Sequence, residues 1–196
     1  MKKRAVFIDR DGTLSEEVGY INHVSRFMLL PHSAEAIRSL NDAGVPAVLV
    51  TNQAGVARGY FPEERIAEVH ARMKELLGKD GARLDGVFYC PHHPTSGEPP
   101  YCMKCDCRKP APGLVMKAAE ELGLDAGNSY IVGDKFSDVQ LARNLGCKGV
   151  LVLTGYGRGQ WEYDREKYGI EPDYVAENLL DAVKWILEDM KTGGRD

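Results

Sequence analysis

The sequence predicts an α/β fold: a doubly wound, mostly parallel sheet with helices on both faces. Two patterns carry that prediction. Short runs of consecutive apolar residues recur along the chain without polar alternation, as strands buried on both faces do. Between them lie segments with apolar residues at helical spacing, bounded by Ser, Pro or Gly. A third observation locates function: acids and hydroxyls stand just after the ends of three apolar runs, and open parallel sheets bind ligands at the carboxyl ends of their strands.

The elements follow in order. Val6 to Ile8 reads as the first strand, and Ser33 to Leu40 as a helix with Ser33 as its cap and Gly44 as its stop. Val45 to Val50 is the next strand. Pro62 suits the first turn of a helix that carries Ile66, Val69, Met73 and Leu76 on one face up to Gly78. Val87 to Tyr89 is a third strand. Leu114, Val115, Ala118 and Leu122 mark a helix ending at Gly123, and Tyr130 to Val132 is the strand beyond it. Ser137 is placed to cap the following helix, which ends near Gly146; Val150 to Leu153 is the next strand. Leu179, Val183, Ile186 and Met190 mark the last helix, so residues 1–190 read as one domain followed by a polar tail, 191–196.

With 196 residues, 43% of them hydrophobic, the chain can bury a core of ordinary domain size. Its formal net charge of -4 gives no general attraction to nucleic acid or an anionic membrane. The apolar run in MKKRAVFID is too short for a secretory signal and is cut by Asp9. No stretch approaches the roughly twenty apolar residues of a membrane span. A cytoplasmic, monomeric protein with neither nucleic-acid nor membrane partners is the expectation.

Five cysteines in a chain of this length do not suggest a secreted disulfide framework. Cys90 and His92 form a C-x-H pair, and twelve residues later Cys105 and Cys107 form C-x-C: four soft ligands suited to tetrahedral Zn2+. His93 and Cys102 are alternative ligands that spacing alone does not exclude.

Asp9 and Asp11 follow the first strand, Thr51 and Asn52 the second, and Asp134 the strand ending at Val132. The stretches FIDRDGTL, LVTNQAG, CRKP and IVGDKFSD resemble, in order and across nearly the whole chain, the four motifs of the haloacid dehalogenase superfamily of phosphotransferases. The resemblance implies a Rossmann-like sheet, with Asp9 as nucleophile, Asp11 as general acid and base, and Thr51 and Lys109 holding the phosphoryl group. It also implies Mg2+ at Asp9, Asp134 and a backbone carbonyl near Asp11. Hard oxygen ligands suit that ion, which screens a carboxylate from the phosphate it attacks. Asp138 reads either as support for that site or as an acid favoured by a helix N-terminus.

Asp9 and Thr51 are only 42 positions apart, with a helix and a strand already between them, so no large cap domain fits. Short loops must then supply specificity. Glu17, Val18, Gly19 and Tyr20 are expected at the substrate, together with Asn52, Gln53, Arg108 and Lys135, while GYGRG (155–159) reads as a flexible turn. Within the superfamily the cysteine loop resembles that of the heptose bisphosphate phosphatases, which favours His92 and Cys105 as ligands. The histidinol-phosphate phosphatases carry a related, shorter loop. The resemblance therefore implies an enzyme that removes the 7-phosphate of a heptose 1,7-bisphosphate, a small phosphorylated sugar, with Mg2+ catalytic and Zn2+ structural. A histidinol-phosphate phosphatase is the second reading and a nucleic acid 3'-phosphatase a more distant one, since no basic stripe with interleaved aromatics is present. Arg108, between Cys107 and Lys109, is placed to hold a second phosphate bidentately.

Overall fold

In the computed structural model, which describes residues 2–193, the apolar run Val6–Ile8 is the central strand β1, buried along its whole length. β2 (Ala47–Asn52) pairs with it on one side and β4 (Tyr130–Gly133) on the other, with Phe7 opposite both Val48 and Ile131. β3 (Gly86–Cys90) continues the sheet beyond β2; β5 (Lys148–Val152) and β6 (Tyr174–Ala176) continue it beyond β4. The order is β3-β2-β1-β4-β5-β6 and every pair is parallel. Strand order reverses between β1 and β4, which places a crevice at their carboxyl ends.

Alternation along each strand feeds two apolar layers. Val6, Ile8 and Leu49 face a layer built from α1 (Ser33–Asp42), α2 (Glu64–Lys79) and α7 (Leu179–Thr192), where Ile37, Met73 and Val183 are buried. Phe7, Val48 and Ile131 face the other layer, against α3 (Gly113–Leu122) and α4 (Phe136–Leu145). Helix propensities differ by at most ~0.7 kcal/mol per ordinary residue. Each large buried apolar side chain contributes about 1.5–3 kcal/mol, so the buried faces hold these helices in place.

The sheet and helices match the predicted architecture, with local differences. β2 begins at Ala47 because the Val45 N–H is spent on Leu40 O, closing α1, and Pro46 has no N–H to give. α1 begins at Ser33 itself, with His32 before it in the left-handed region, and the Ser33 hydroxyl is buried without a partner instead of capping. α4 begins at Phe136, one residue before Ser137, and its first N–H is received by the Gln160 side chain at 2.7 Å. Gln160 belongs to a segment the sequence did not announce: α5 (Gly157–Gly159), a π-helical turn (Gln160–Asp164) and α6 (Arg165–Tyr168). β6, only three residues long, was also unannounced. α7 runs through Thr192, past the expected start of the polar tail at 191, and residues 194–196 of that tail lie outside the described residues.

Candidate active site

Asp9 stands one residue beyond β1, almost fully buried, and accepts the Arg10 backbone N–H at 2.7 Å. Lys109 Nζ lies 2.9 Å from Asp9 Oδ1 and 2.6 Å from Asp138 Oδ1, so one buried ammonium joins two buried carboxylates. Burial alone would raise the Asp9 acid, but the charges of Lys109 and Lys135 outweigh it and hold Asp9 below its ordinary value. Burial opposes the Lys109 charge in turn, and Asp138 and Asp9 overcome it. The group at the strand end is thus an ionised carboxylate beside a fixed cation.

Asp134 closes the cluster from the end of β4. Oxygens of Asp9, Asp134 and Asp138 lie within 4.8 Å of one another, all three residues are buried, and Asp134 Oδ1 has no hydrogen-bond partner. Burial pushes Asp134 up to about 7; Lys135 opposes the rise, and the charges of Asp9 and Asp138 add to it. A hard divalent cation fits such an oxygen set. The Asp138 oxygens likewise make no aligned hydrogen bond, but one of them faces Lys109 Nζ as a close ion pair.

The chain makes room for Asp134 with two glycines. At Gly12 (φ 82°) a Cβ would stand 2.1 Å from Asp134 Oδ2, and at Gly155 (φ 54°) one would stand 2.3 Å from the same atom. The Tyr156 N–H donates to Asp134 Oδ2 at 2.9 Å, and the Thr154 hydroxyl donates to Gly12 O at 2.6 Å. The GYGRG segment, read from sequence as a flexible turn, is therefore a fixed wall of the site.

β2 and the residue that follows it deliver three polar side chains, Thr51, Asn52 and Gln53. Asn52 exchanges two hydrogen bonds with the Lys109 backbone, at 3.1 and 3.0 Å, so its amide is spent on holding the loop that carries the lysine. Gln53 Nε2 donates to Thr51 Oγ1 at 2.9 Å and to Asp11 Oδ2 at 2.8 Å. The Arg10 guanidinium reaches Asp11 with two prongs, Nε to Oδ1 at 3.0 Å and Nη2 to Oδ2 at 2.8 Å.

Asp9, Asp11, Thr51, Asn52, Gln53 and Lys109 line a cavity of about 420 Å³. Glu17, Gly19, Tyr20, Arg108, Lys135 and Tyr156 form its rim. Lys135 Nζ is 3.3 Å from Glu17 Oε2 and 3.6 Å from Asp134 Oδ1, and it lies over the Tyr156 ring at 4.7 Å. Burial opposes its charge, but the surrounding carboxylates raise its pKa above the ordinary lysine value. Val18 is a correction to the expected set: its side chain packs against the core layer and does not line the cavity.

Cys90, His92, Cys105 and Cys107 converge at one point. The Sγ atoms of Cys107 lie 3.1 Å from Cys90 and 3.2 Å from Cys105, and His92 Nδ1 is 3.4 Å from Cys107 Sγ. A tetrahedral zinc with Zn–S bonds of about 2.3 Å has edges slightly longer than these, so the four donors fit the ion. His93 and Cys102 instead bridge each other through their backbones, away from the cluster. Tyr101 and Tyr89 donate to the two oxygens of Glu63, at 2.7 and 2.9 Å, tying the loop to the start of α2.

Known proteins resemble this chain over most of its length. The D-glycero-D-manno-heptose-1,7-bisphosphate 7-phosphatase of Thermosynechococcus vestitus is 44% identical over 190 residues, 95% of this chain and 96% of that one. The chain belongs to the family of heptose 1,7-bisphosphate 7-phosphatases. The HAD-hydrolase-like family matches residues 106–182. The Escherichia coli K12 member of the heptose family is 42% identical over 153 residues, covering 77% of this chain and 80% of its own. The crystal structure of D,D-heptose 1,7-bisphosphate phosphatase from B. bronchiseptica, complexed with magnesium and phosphate, superposes with a TM-score of 0.82 at 32% identity, covering 95% of this chain and 99% of that chain.

In this family member, Arg10, His70 and Thr154 carry no assignment from the sequence, and Gly155 reads there only as part of a flexible turn. His70 alone left a signal: it falls among Ile66, Val69, Met73 and Leu77 on the buried face of α2. A polar residue on such a face needs a partner.

Proposed function

We propose that this chain hydrolyses the 7-phosphate of D-glycero-D-manno-heptose 1,7-bisphosphate through a phosphorylated Asp9. The observation that carries the reading is the pairing of Asp9 with Lys109 beneath a cavity whose rim presents Lys135 and Arg108. Membership of a family whose curated relatives bear that name supports the substrate.

In this reading the Asp9 carboxylate attacks phosphorus, Lys109 and the Thr51 hydroxyl hold the equatorial oxygens, and Asp11 gives a proton to the departing sugar oxygen. Asp11 then takes a proton from the water that cleaves the aspartyl-phosphate. Asp9, Asp134 and the Asp11 backbone carbonyl would hold Mg2+, which when bound neutralises charge between carboxylate and phosphate. Asp138 keeps Lys109 in place. Cys90, His92, Cys105 and Cys107 would hold Zn2+; four protein ligands leave no open position, so its role is structural. Arg108 receives the remote phosphate. Glu17, Gly19 and Tyr20 contact the sugar from the rim. Residues 1–190 work as one domain and as a monomer, in the cytoplasm, where the five unpaired cysteines stay reduced.

Phosphate release from heptose 1,7-bisphosphate, histidinol phosphate and a 3'-phosphorylated oligonucleotide, measured in parallel with and without magnesium, tests the proposal. The expected result is magnesium-dependent turnover with the heptose bisphosphate preferred, and its loss in Asp9→Asn. An Asp9→Asn protein that retains most of the rate overturns the nucleophile assignment, and a preference for another substrate overturns the substrate assignment.

A further inference from the structure

We propose that Arg10, braced from behind by His70, is a positioning residue that holds Asp11 ready to take the proton of the water that cleaves the aspartyl-phosphate. The inference rests on the reading of Asp9 as nucleophile and Asp11 as its partner acid and base.

Arg10 is the largest fully buried side chain in the protein as described, with 2% of it exposed. Burying a guanidinium costs several kcal/mol unless its donors are used. Here they converge on one task. Nε and Nη2 grip the two Asp11 oxygens, Nη2 also donates to Gln53 Oε1 at 2.8 Å, and Nη1 lies 3.3 Å from His70 Nε2. The planar fork fixes both the position and the plane of the carboxylate, which a lysine in the same place could not do.

His70 completes the geometry from α2. Burial, reinforced by the charges of Arg10 and Lys74, pushes its pKa down to about 3, so the ring is neutral. With its proton on Nδ1, Nε2 accepts from Arg10. The Tyr89 ring packs against the imidazole edge to face at 5.8 Å between centroids, so the brace is itself held.

The direction of the hydrogen bonds says which half of the reaction the clamp serves. All three that reach the Asp11 carboxylate are donated to it, two by Arg10 and one by Gln53. A carboxylate gripped by three donors keeps one orientation, with its remaining lone pairs turned to the cavity side where the water must approach. The step balances as follows: the water oxygen bonds to phosphorus, the bond from phosphorus to the Asp9 oxygen breaks, and its electron pair returns to the Asp9 carboxylate. The proton lost by the water goes to Asp11, and inorganic phosphate leaves.

The test is pre-steady-state hydrolysis of p-nitrophenyl phosphate by the magnesium-loaded enzyme, with intact-mass detection of phosphorylated protein. In His70→Leu and Arg10→Lys the second step slows about tenfold, within the range of a mispositioned general base. A burst of nitrophenolate approaching one equivalent per enzyme then precedes a slow steady state, and phosphoenzyme accumulates. His70→Gln, which restores an acceptor, recovers the wild-type steady-state rate. A purely structural defect would shrink the burst along with the active fraction and give no accumulation. Absence of a burst in both His70→Leu and Arg10→Lys overturns the inference, as does His70→Gln behaving like His70→Leu; should His70→Leu fail to fold, Arg10→Lys decides. Asp11→Asn separates this failure from failure of the underlying reading: accumulation in Asp11→Asn but not in Arg10→Lys rejects the clamp alone, whereas no phosphoenzyme even in Asp11→Asn rejects the mechanism on which the clamp depends.

Discussion

Arg108 Nη1 donates to the backbone carbonyl of His92 at 3.2 Å, so the side chain at the cavity rim is held by the residue that contributes nitrogen to the thiol cluster. This contact joins the cysteine loop to the rim. An ion binding Cys90, His92, Cys105 and Cys107 would fix the carbonyl on which Arg108 leans.

Arg108→Ala is expected to lower kcat/KM for the bisphosphate at least about tenfold, the lower end of a lost hydrogen-bonded charge contact. A monophosphate without the remote group should be affected only slightly. Steady-state kinetics on the two substrates check this, and equal losses on both would remove Arg108 from substrate recognition.

Removing zinc by chelation, or weakening the site with Cys105→Ser, should lower thermal stability and bisphosphate preference together. In molecules that remain folded the magnesium-dependent step should survive, because Asp9, Lys109 and Asp134 are not drawn from the cluster. Melting curves paired with the two-substrate ratio give the answer; unchanged stability and preference in metal-free protein would show that the loop stands without its ion.

Asp138 has two readings that differ in size. An acid in the first turn of a helix is stabilising by about 0.3–1 kcal/mol through the dipole, whereas breaking a buried ion pair costs about 3–5 kcal/mol. Its 2.6 Å approach to Lys109, with both side chains buried, favours the larger figure. Asp138→Ala is therefore expected to lose well over ~2 kcal/mol in denaturant unfolding and to reduce kcat, since Lys109 loses one of its two anchors. A loss under ~1 kcal/mol would return Asp138 to the role of a helix-end acid.

The contrast between Asp138 and Arg10 shows what the sequence could tell. The sheet was legible because short apolar runs such as Val6–Ile8 alternate along the chain with segments of helical spacing, the arrangement of a covered parallel sheet. Asp9, Thr51 and Asp134 were legible because they stand where those runs stop. Arg10 follows Asp9 directly, but nothing in its type says whether it turns to solvent or inward; only the partners supplied by β2 and α2 decide that. Asn52 looked like a substrate contact because it stands at a strand end, yet the fold spends its amide on the Lys109 backbone. Thr154 and Gly155 act on residues 142 and 143 positions earlier, through contacts that no local pattern encodes.

Gly155→Ala probes that distant contact. The new Cβ would need the space of Asp134 Oδ2 and would come within 2.5 Å of Gly12 Cα, at a backbone φ of 54° that already disfavours a side chain. Asp134 must move, and its loop with it. The magnesium concentration for half-maximal activity should rise at least about tenfold while the sheet stays folded, a loss of ~1.4 kcal/mol in ion binding. Unchanged magnesium dependence would mean that the 154–156 wall does not position Asp134.

His70 gives a prediction in pH. Its folded-state value of about 3 lies far below the ordinary 6.5, first because of burial and then because of the charges of Arg10 and Lys74; the remaining neighbour is the neutral Tyr89 ring. Between these two values the unfolded chain binds a proton that the folded protein does not. This contribution to stability is therefore complete above pH 6.5 and is lost as pH falls toward 3, with a slope approaching ~1.4 kcal/mol per pH unit. Asp134, pushed up to about 7, acts in the opposite sense over part of the same range, because there the folded protein holds the extra proton. Subtracting the stability of His70→Gln from that of the wild type, both followed by urea unfolding from pH 7.5 to 5, cancels the Asp134 contribution and leaves that of His70. The difference is expected to shift steadily against the wild type as the solution is acidified. A difference that stays flat across the range would mean that His70 takes up its proton equally in the folded and unfolded chain, so that Nε2 is not kept free for Arg10 by the fold.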